Sequence, residues 1–319
     1  MVAVTLNHIT KTYDKGKVLA VDGVSFEVGK GELFGLIGPD GAGKTSIFRI
    51  LTTVLLPDEG SASVAGFDVV NDYRAIRNRV GYMPGRFSLY QDLTVRENLE
   101  FFATVFGTSI EANYTLIKDI YDQIAPFNNR RAGKLSGGMK QKLALCCALI
   151  HKPEVLLLDE PTTGVDAVSR REFWDMLKQL KQQGITILVS TPYMDEADLC
   201  ERIALIQNGR IMSVDTPENV TGVYPVPLYA VKSADLYRLL NDLRNSDMAE
   251  SSYAFGEFLH VTLRNDNGMT TSPEDNLRVL KKLATDQGHT GVEVKRIPPG
   301  IEDSFIHLMN QRDKITDHG

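Results

Sequence analysis

Gly38-Pro39-Asp40-Gly41-Ala42-Gly43-Lys44-Thr45 limits the folds open to this chain more than any other stretch, because it has the spacing G-x-x-x-x-G-K-[ST]. An apolar run, Leu33 to Ile37, leads into it, and a helical pattern from Ser46 to Leu55 leaves it. Strand, glycine loop and helix in that order let successive backbone N–H groups curl around one anion. The positive end of the helix dipole adds to the attraction. On this reading Gly38, Asp40, Gly41, Ala42, Gly43 and Ser46 surround phosphate oxygens. Lys44 reaches toward β- and γ-phosphates, and Thr45 offers its hydroxyl to Mg2+.

A second feature supports the first. Glu154-Val-Leu-Leu-Leu-Asp159-Glu160 reads as a buried strand that ends in two carboxylates. Open α/β sheets bind their ligands at the C-terminal ends of such strands. Asp159 is placed to hold Mg2+ through water, and Glu160 to orient and deprotonate an attacking water. The plain alternative, an acidic pair opening a helix, loses weight beside a phosphate loop. Upstream, Tyr13 lies near a strand end, where its ring could stack on adenine or sit half-buried in a sheet.

Composition removes several function classes. In 319 residues, 43% hydrophobic and 24% charged residues are ordinary for a soluble globular protein. The length suggests two domains. A net charge of -6 gives no electrostatic reason to expect nucleic acid as a partner. No apolar run reaches the roughly 18 residues of a membrane span. The N-terminus has no basic segment followed by an apolar signal core, so a cytoplasmic location is expected. Cys146, Cys147 and Cys200 lack metal-ligand spacing and read as buried free thiols.

Along the chain, alternating strands occupy residues 2–28, and another strand pair follows the Pro57-Asp58-Glu59-Gly60 turn. Arg74 to Arg79 reads as a short basic helix, and Val80 to Pro84 as a strand. Residues 86–152 are mostly helical, with helices at Thr115–Ile124 and Met139–Ile150; Thr94 and Glu97 are placed as a capping box. A helix from Ser169 to Gln183, a strand from Ile185 to Ser190 and a helix from Asp195 to Glu201 come next. The Asn208-Gly209 hairpin closes a first domain over residues 1–218. A linker over 219–227 follows, with proline and glycine turn chemistry. Residues 228–319 read β-α-β-β-α-β plus a helical tail, a small α+β ferredoxin-like arrangement.

Leu135-Ser136-Gly137-Gly138-Met139-Lys140-Gln141 places a serine and two glycines at a helix start, which reads as a second anion site or as a plain helix cap. With this motif the first domain resembles the ATP-binding subunits of ABC transporters, over roughly residues 2–218. The small second domain is similar to the tail of ATPases that serve bacterial multidrug or type-two exporters. The resemblance implies an α/β P-loop NTPase: a RecA-like parallel core with an antiparallel β subdomain and a helical subdomain. It implies ATP and Mg2+ as cofactors, separate transmembrane permease subunits as partners, and a peripheral place on the cytoplasmic membrane. It also implies a second ATP-binding subunit, a copy or a paralogue, with each ATP held between one phosphate loop and the opposite signature. Ser136, Gly137, Gly138 and Gln141 then act in trans, Tyr13 stacks adenine, and Asp166 in Gly164-Val165-Asp166 couples the two sites.

Three positions depart from the family pattern. Asp40 stands where asparagine or serine is usual. Gly85 stands where a glutamine reaches the magnesium and the attacking water. Pro192 stands where a histidine contacts the γ-phosphate; proline offers neither a side-chain donor nor an N–H. Both losses fall on the nucleotide bound by this chain's own phosphate loop, so slow hydrolysis at that site is expected. Two other readings are a non-hydrolysing ATP clamp and a soluble ABC ATPase acting on ribosomes or DNA. The last expects a tandem ATPase, a coiled coil or a basic face.

Overall fold

The structure is a computed structural model and describes residues 1–264 and 273–316. It divides into two units, Met1–Val220 with Leu308–Gly319, and Thr221–His307.

In the first unit, strands β1 (Val2–Tyr13) and β2 (Val18–Gly29) form a long antiparallel hairpin. Strand β3 (Leu33–Ile37) is buried at every residue and runs into the phosphate loop, and helix α1 (Lys44–Leu51) leaves it. After α1 come β4 (Glu59–Val64) and β5 (Phe67–Asp68), which extend the first sheet to the order β2-β1-β4-β5. Helix α2 (Tyr73–Arg77) precedes β6 (Val80–Met83). A helical block follows: α3 (Val95–Val105), α4 (Tyr114–Tyr121) and α5 (Gly137–Leu149). The chain then returns as β7 (Val155–Asp159), α6 (Ala167–Gln182), β8 (Thr186–Thr191), β9 (Arg202–Gln207) and β10 (Arg210–Asp215).

The second sheet has the order β10-β9-β3-β8-β7-β6 and is parallel except for the β9–β10 hairpin. β3, β7 and β8 are buried throughout, as central parallel strands must be. One core joins the two sheets: Leu6, Ile9 and Phe26 meet Phe48 and Leu51 of α1 and Leu36, Leu157 and Leu188 of the parallel strands. The phosphate loop therefore leaves the middle of a rigid sheet, which fixes where its anion site points.

Several local expectations needed correction. α4 stops at Tyr121, ahead of a 3-10 turn at Ala125–Phe127, because Pro126 has no N–H to continue the ladder. α5 begins at Gly137, two residues before the apolar pattern, because Ser136 caps it. The segment expected as an Asp195–Glu201 helix is a 3-10 stretch over Met194–Leu199. The expected linker opens as helix α7 (Pro217–Gly222), with proline at its first position and the Thr216 hydroxyl accepting from Asn219 N–H at 3.1 Å. The capping box at α3 is present: Thr94 Oγ1 accepts from Glu97 N–H, and Glu97 returns a bond to Thr94 N–H.

The second unit contains β11 (Leu228–Lys232), α8 (Leu236–Arg244), β12 (Ala249–Phe255), β13 (Phe258–Leu263), α9 (Pro273–Asp286), β14 (Glu293–Ile297) and the start of α10 (Ile301–Thr316). Its sheet order, β12-β13-β11-β14 with all pairs antiparallel, is that of a split β-α-β fold. Tyr229, Val231, Leu259 and Val261 pack under Leu239, Leu243 and Leu280. A boundary between the units falls after His307, although the sequence gives none there. α10 runs through that point unbroken, so no turn residue marks it.

Candidate functional site

The site is built where β3, β7 and β8 end side by side. Gly43 lies at φ 103°, and a Cβ there would stand 2.3 Å from the Ala20 carbonyl oxygen of β2. Only glycine satisfies both constraints, so the loop can close against the hairpin. Lys44 follows and is 3% exposed. Its ammonium donates to the carbonyls of Gly38 (2.7 Å) and Pro39 (2.9 Å) and lies 3.0 Å from Glu160 Oε1. A buried cation is thus held in the mouth of the loop, where phosphate oxygens would replace carbonyls and carboxylate.

Asp159 is 2% exposed at the last position of β7. Burial pushes its carboxyl above the ordinary range, against hydrogen bonds from Ser190 and Thr45; Glu160 adds to the rise and Lys44 opposes it. With the Thr45 hydroxyl bonded to Asp159, the pair offers hard oxygen ligands of the kind Mg2+ takes alongside phosphates. No cluster of three or more His, Cys, Asp or Glu suited to a metal occurs among the described residues. The donor set fits Mg2+ carried by nucleotide and not an all-protein cage.

Glu160 adopts φ 51°, a left-handed conformation that costs a non-glycine residue energy. Ser190 holds it there. Glu160 N–H donates to Ser190 O (3.1 Å) and Ser190 Oγ (3.0 Å), while Ser190 Oγ donates to Asp159 Oδ1 (2.8 Å). One buried serine thus places both carboxylates. Reading the chain alone missed it; the available signal was its place at the end of the strand neighbouring β7.

Tyr13 ends β1, and its hydroxyl is 2.9 Å from Ser46 Oγ on the first turn of α1. Gly85 follows β6 and faces the carboxylate end of β7 directly: a Cβ there would be 3.0 Å from Asp159 O and 3.7 Å from Glu160 Cβ. Pro192 follows β8, one residue after Thr191, whose carbonyl accepts from Gly38 N–H at 3.2 Å. Its loop is tied down by buried Glu196, which accepts from Thr191 and Thr162 hydroxyls and stands 3.9 Å from Arg170 Nε. Asp40 is exposed in the loop.

The signature residues form a separate feature. Ser136 caps α5, accepting from Met139 N–H at 3.4 Å. A Cβ on Gly138 would be 2.7 Å from Ser169 Oγ on α6, so glycine is needed for the two helix starts to meet. Asp166 caps α6 through Val168 N–H (3.1 Å) and Ser169 N–H (3.0 Å), and the bonds lower its carboxyl below the usual range. Gly137 and Gln141 border an apolar groove of about 660 Å³, walled by Tyr82, Phe87, Phe102, Phe106 and Cys147. Gly85 and Glu160 border the same groove.

A phosphate loop on a central parallel strand, an adjacent Asp-Glu strand end and a serine-glycine helix start define an ATP-binding cassette of the P-loop class. Residues 21–163 match the family model described as ABC transporter. DrrA of Mycobacterium tuberculosis, a doxorubicin resistance ATP-binding protein, is 40% identical over 327 residues, covering 99% of this chain and 96% of DrrA. YbhF of Escherichia coli, a probable multidrug ABC transporter ATP-binding protein, is 36% identical over 310 residues, 96% of this chain. The chain spans about half of YbhF, 52% of its length. Among solved structures, the dimeric MJ0796, a bacterial ABC transporter cassette, matches with TM-score 0.61 and 26% identity, over 67% of this chain and 98% of that one. The chain belongs to the ABC transporter ATP-binding proteins, a family of transport ATPases.

Proposed function

We propose that this chain binds Mg-ATP at Lys44, Thr45 and Asp159 and closes against a second ATP-binding subunit to drive export through separate membrane subunits. The observation that carries the reading is the convergence of Lys44, Thr45, Asp159 and Glu160 at the ends of β3 and β7. Lys44 takes β- and γ-oxygens, and the loop amides cradle the remainder. Magnesium, when bound with the nucleotide, neutralises charge developing between β- and γ-phosphates. Glu160 accepts a proton from the attacking water, its carboxylate freed from Lys44 once phosphate takes the ammonium. Ser136 and Gly138 present a helix N-terminus to the partner's nucleotide. The groove beside Gly85 suits an apolar helix of the permease, so closure at Glu160 is felt where the membrane subunit docks. Among the described residues no helix is long and apolar enough to cross a membrane. On this reading the chain is brought to the membrane by its permease partner.

We also propose that the chain's own site hydrolyses slowly. Position 85 borders Glu160 and position 192 adjoins the phosphate loop, and neither offers a side-chain donor. Loss of one well-placed transition-state contact costs about 10²–10³ in rate. The test is the ATPase rate of the purified chain against Glu160→Gln. Fast, Glu160-dependent turnover from the chain alone sinks this half of the proposal and leaves ATP binding standing. Single-turnover hydrolysis in the assembled complex separates a slow enzyme from a pure clamp.

A further inference from the structure

Behind Tyr13 lies a clamp that the phosphate chemistry does not use. Asp58, in the turn between α1 and β4, pairs with Lys11 Nζ at 2.5 Å. The same carboxylate accepts from Thr12 N–H (2.7 Å) and Thr12 Oγ1 (2.7 Å), and Asp58 N–H donates to Thr10 O (2.9 Å). Lys11 and both Thr12 bonds pull the Asp58 carboxyl down to about 2, so it stays ionised at working pH. The turn is seated closely: Gly60 has φ 83°, and a Cβ there would lie 2.3 Å from the His8 carbonyl oxygen.

The ladder alone does not fix this strand end. The β1–β2 register shifts between Ile9 and Lys11 and again between Lys11 and Thr12. On the other side, pairing with β4 ends at Thr10 opposite Glu59. Residues 11–13 therefore have a strand on one edge only, and Asp58 fills the other. In front, the Tyr13 hydroxyl reaches Ser46. Val18 and Leu19, paired with Tyr13 and Thr12, are 53% and 48% exposed and leave apolar surface beside the ring. A ring held before binding loses less freedom when it stacks.

We propose that Asp58 is a positioning residue for the nucleotide base: by gripping Lys11 and Thr12 it sets the place of the Tyr13 ring, whose tip Ser46 holds. The inference rests on the reading of Tyr13 as the adenine-stacking residue.

Calorimetric titration of the full chain with Mg-ATP and, separately, with Mg-tripolyphosphate tests it. Asp58→Ala weakens ATP about threefold or more and leaves tripolyphosphate within about twofold, which also reports an intact phosphate loop. Asp58→Asn keeps an acceptor for Thr12 and recovers most of the loss. Tyr13→Ala costs about tenfold for ATP, and the double variant is no weaker than Tyr13→Ala. Equal losses for ATP and tripolyphosphate overturn the proposal, because they mark a general structural role. An unchanged ATP affinity in Asp58→Ala, with Tyr13→Ala still costly, overturns it alone. If Tyr13→Ala binds ATP normally, the base reading of Tyr13 falls and the role of Asp58 falls with it.

Discussion

Asp159 shows what the proposed magnesium site costs the protein that carries it. Its carboxyl is buried, its range is raised, and only Ser190, Thr45 and nearby Lys44 compensate it. A carboxylate with a raised folded-state value stabilises fully below the unfolded carboxylate range. That contribution is lost as pH rises through the raised value. Above that raised value the nucleotide-free protein therefore holds a charge it would fold better without. Asp159→Asn is expected to raise the Tm of the nucleotide-free protein by a few degrees, while Mg2+-dependent ATP binding is lost. Differential scanning calorimetry with and without Mg-ATP checks both halves; an unchanged or lower Tm contradicts the argument. Ser190→Ala removes a donor from Asp159 and one acceptor from strained Glu160. A stability loss of about 1–3 kcal/mol is expected by urea unfolding, with a fall in any Glu160-dependent turnover.

At the scale of elements, most of the site was legible because its chemistry is carried by local runs. Gly38–Thr45 and Glu154–Glu160 each bring strand, turn and functional group within a few residues, and parallel pairing then aligns their ends. The β-α-β-β-α-β order of the C-terminal unit was legible for the same reason, since each element has its own period. What escaped reading depends on neighbours distant in sequence. Ser190 matters only because β8 lies beside β7. The meeting of α5 with α6 explains Gly138 by Ser169, a residue of another helix, and not by anion binding alone. Gly138→Ala therefore carries a cost before any nucleotide is present, about 1–3 kcal/mol by overpacking. Ser169→Gly in the same chain should return part of it. Chemical denaturation of the four variants measures the coupling; additive losses would show that the helix starts do not press on each other.

For the whole molecule, the proposed function divides chemistry unevenly between two surfaces of one chain. In that proposal the phosphate loop has its cation, its magnesium oxygens and its base, while Gly85 and Pro192 supply no side-chain donor. The signature has Ser136 as an intact helix cap and a glycine at 138 where α6 comes close. On that proposal, a chain so arranged contributes more to a partner's nucleotide than to its own. In a complex with an ATP-binding subunit that has glutamine and histidine at the positions of Gly85 and Pro192, the two ends can be disabled separately. Ser136→Arg in this chain blocks the helix start offered to the partner and should lower steady-state ATPase by about 10²–10³. Glu160→Gln removes only the base of the weaker site and should lower it by less than about threefold. Both variants should still assemble and retain ATP, which filter binding confirms. The reverse ranking would place the working base in this chain, and some other side chain would then have to supply what Gly85 and Pro192 lack. Arg86, one residue beyond Gly85 on the same groove, is the first to replace in that event.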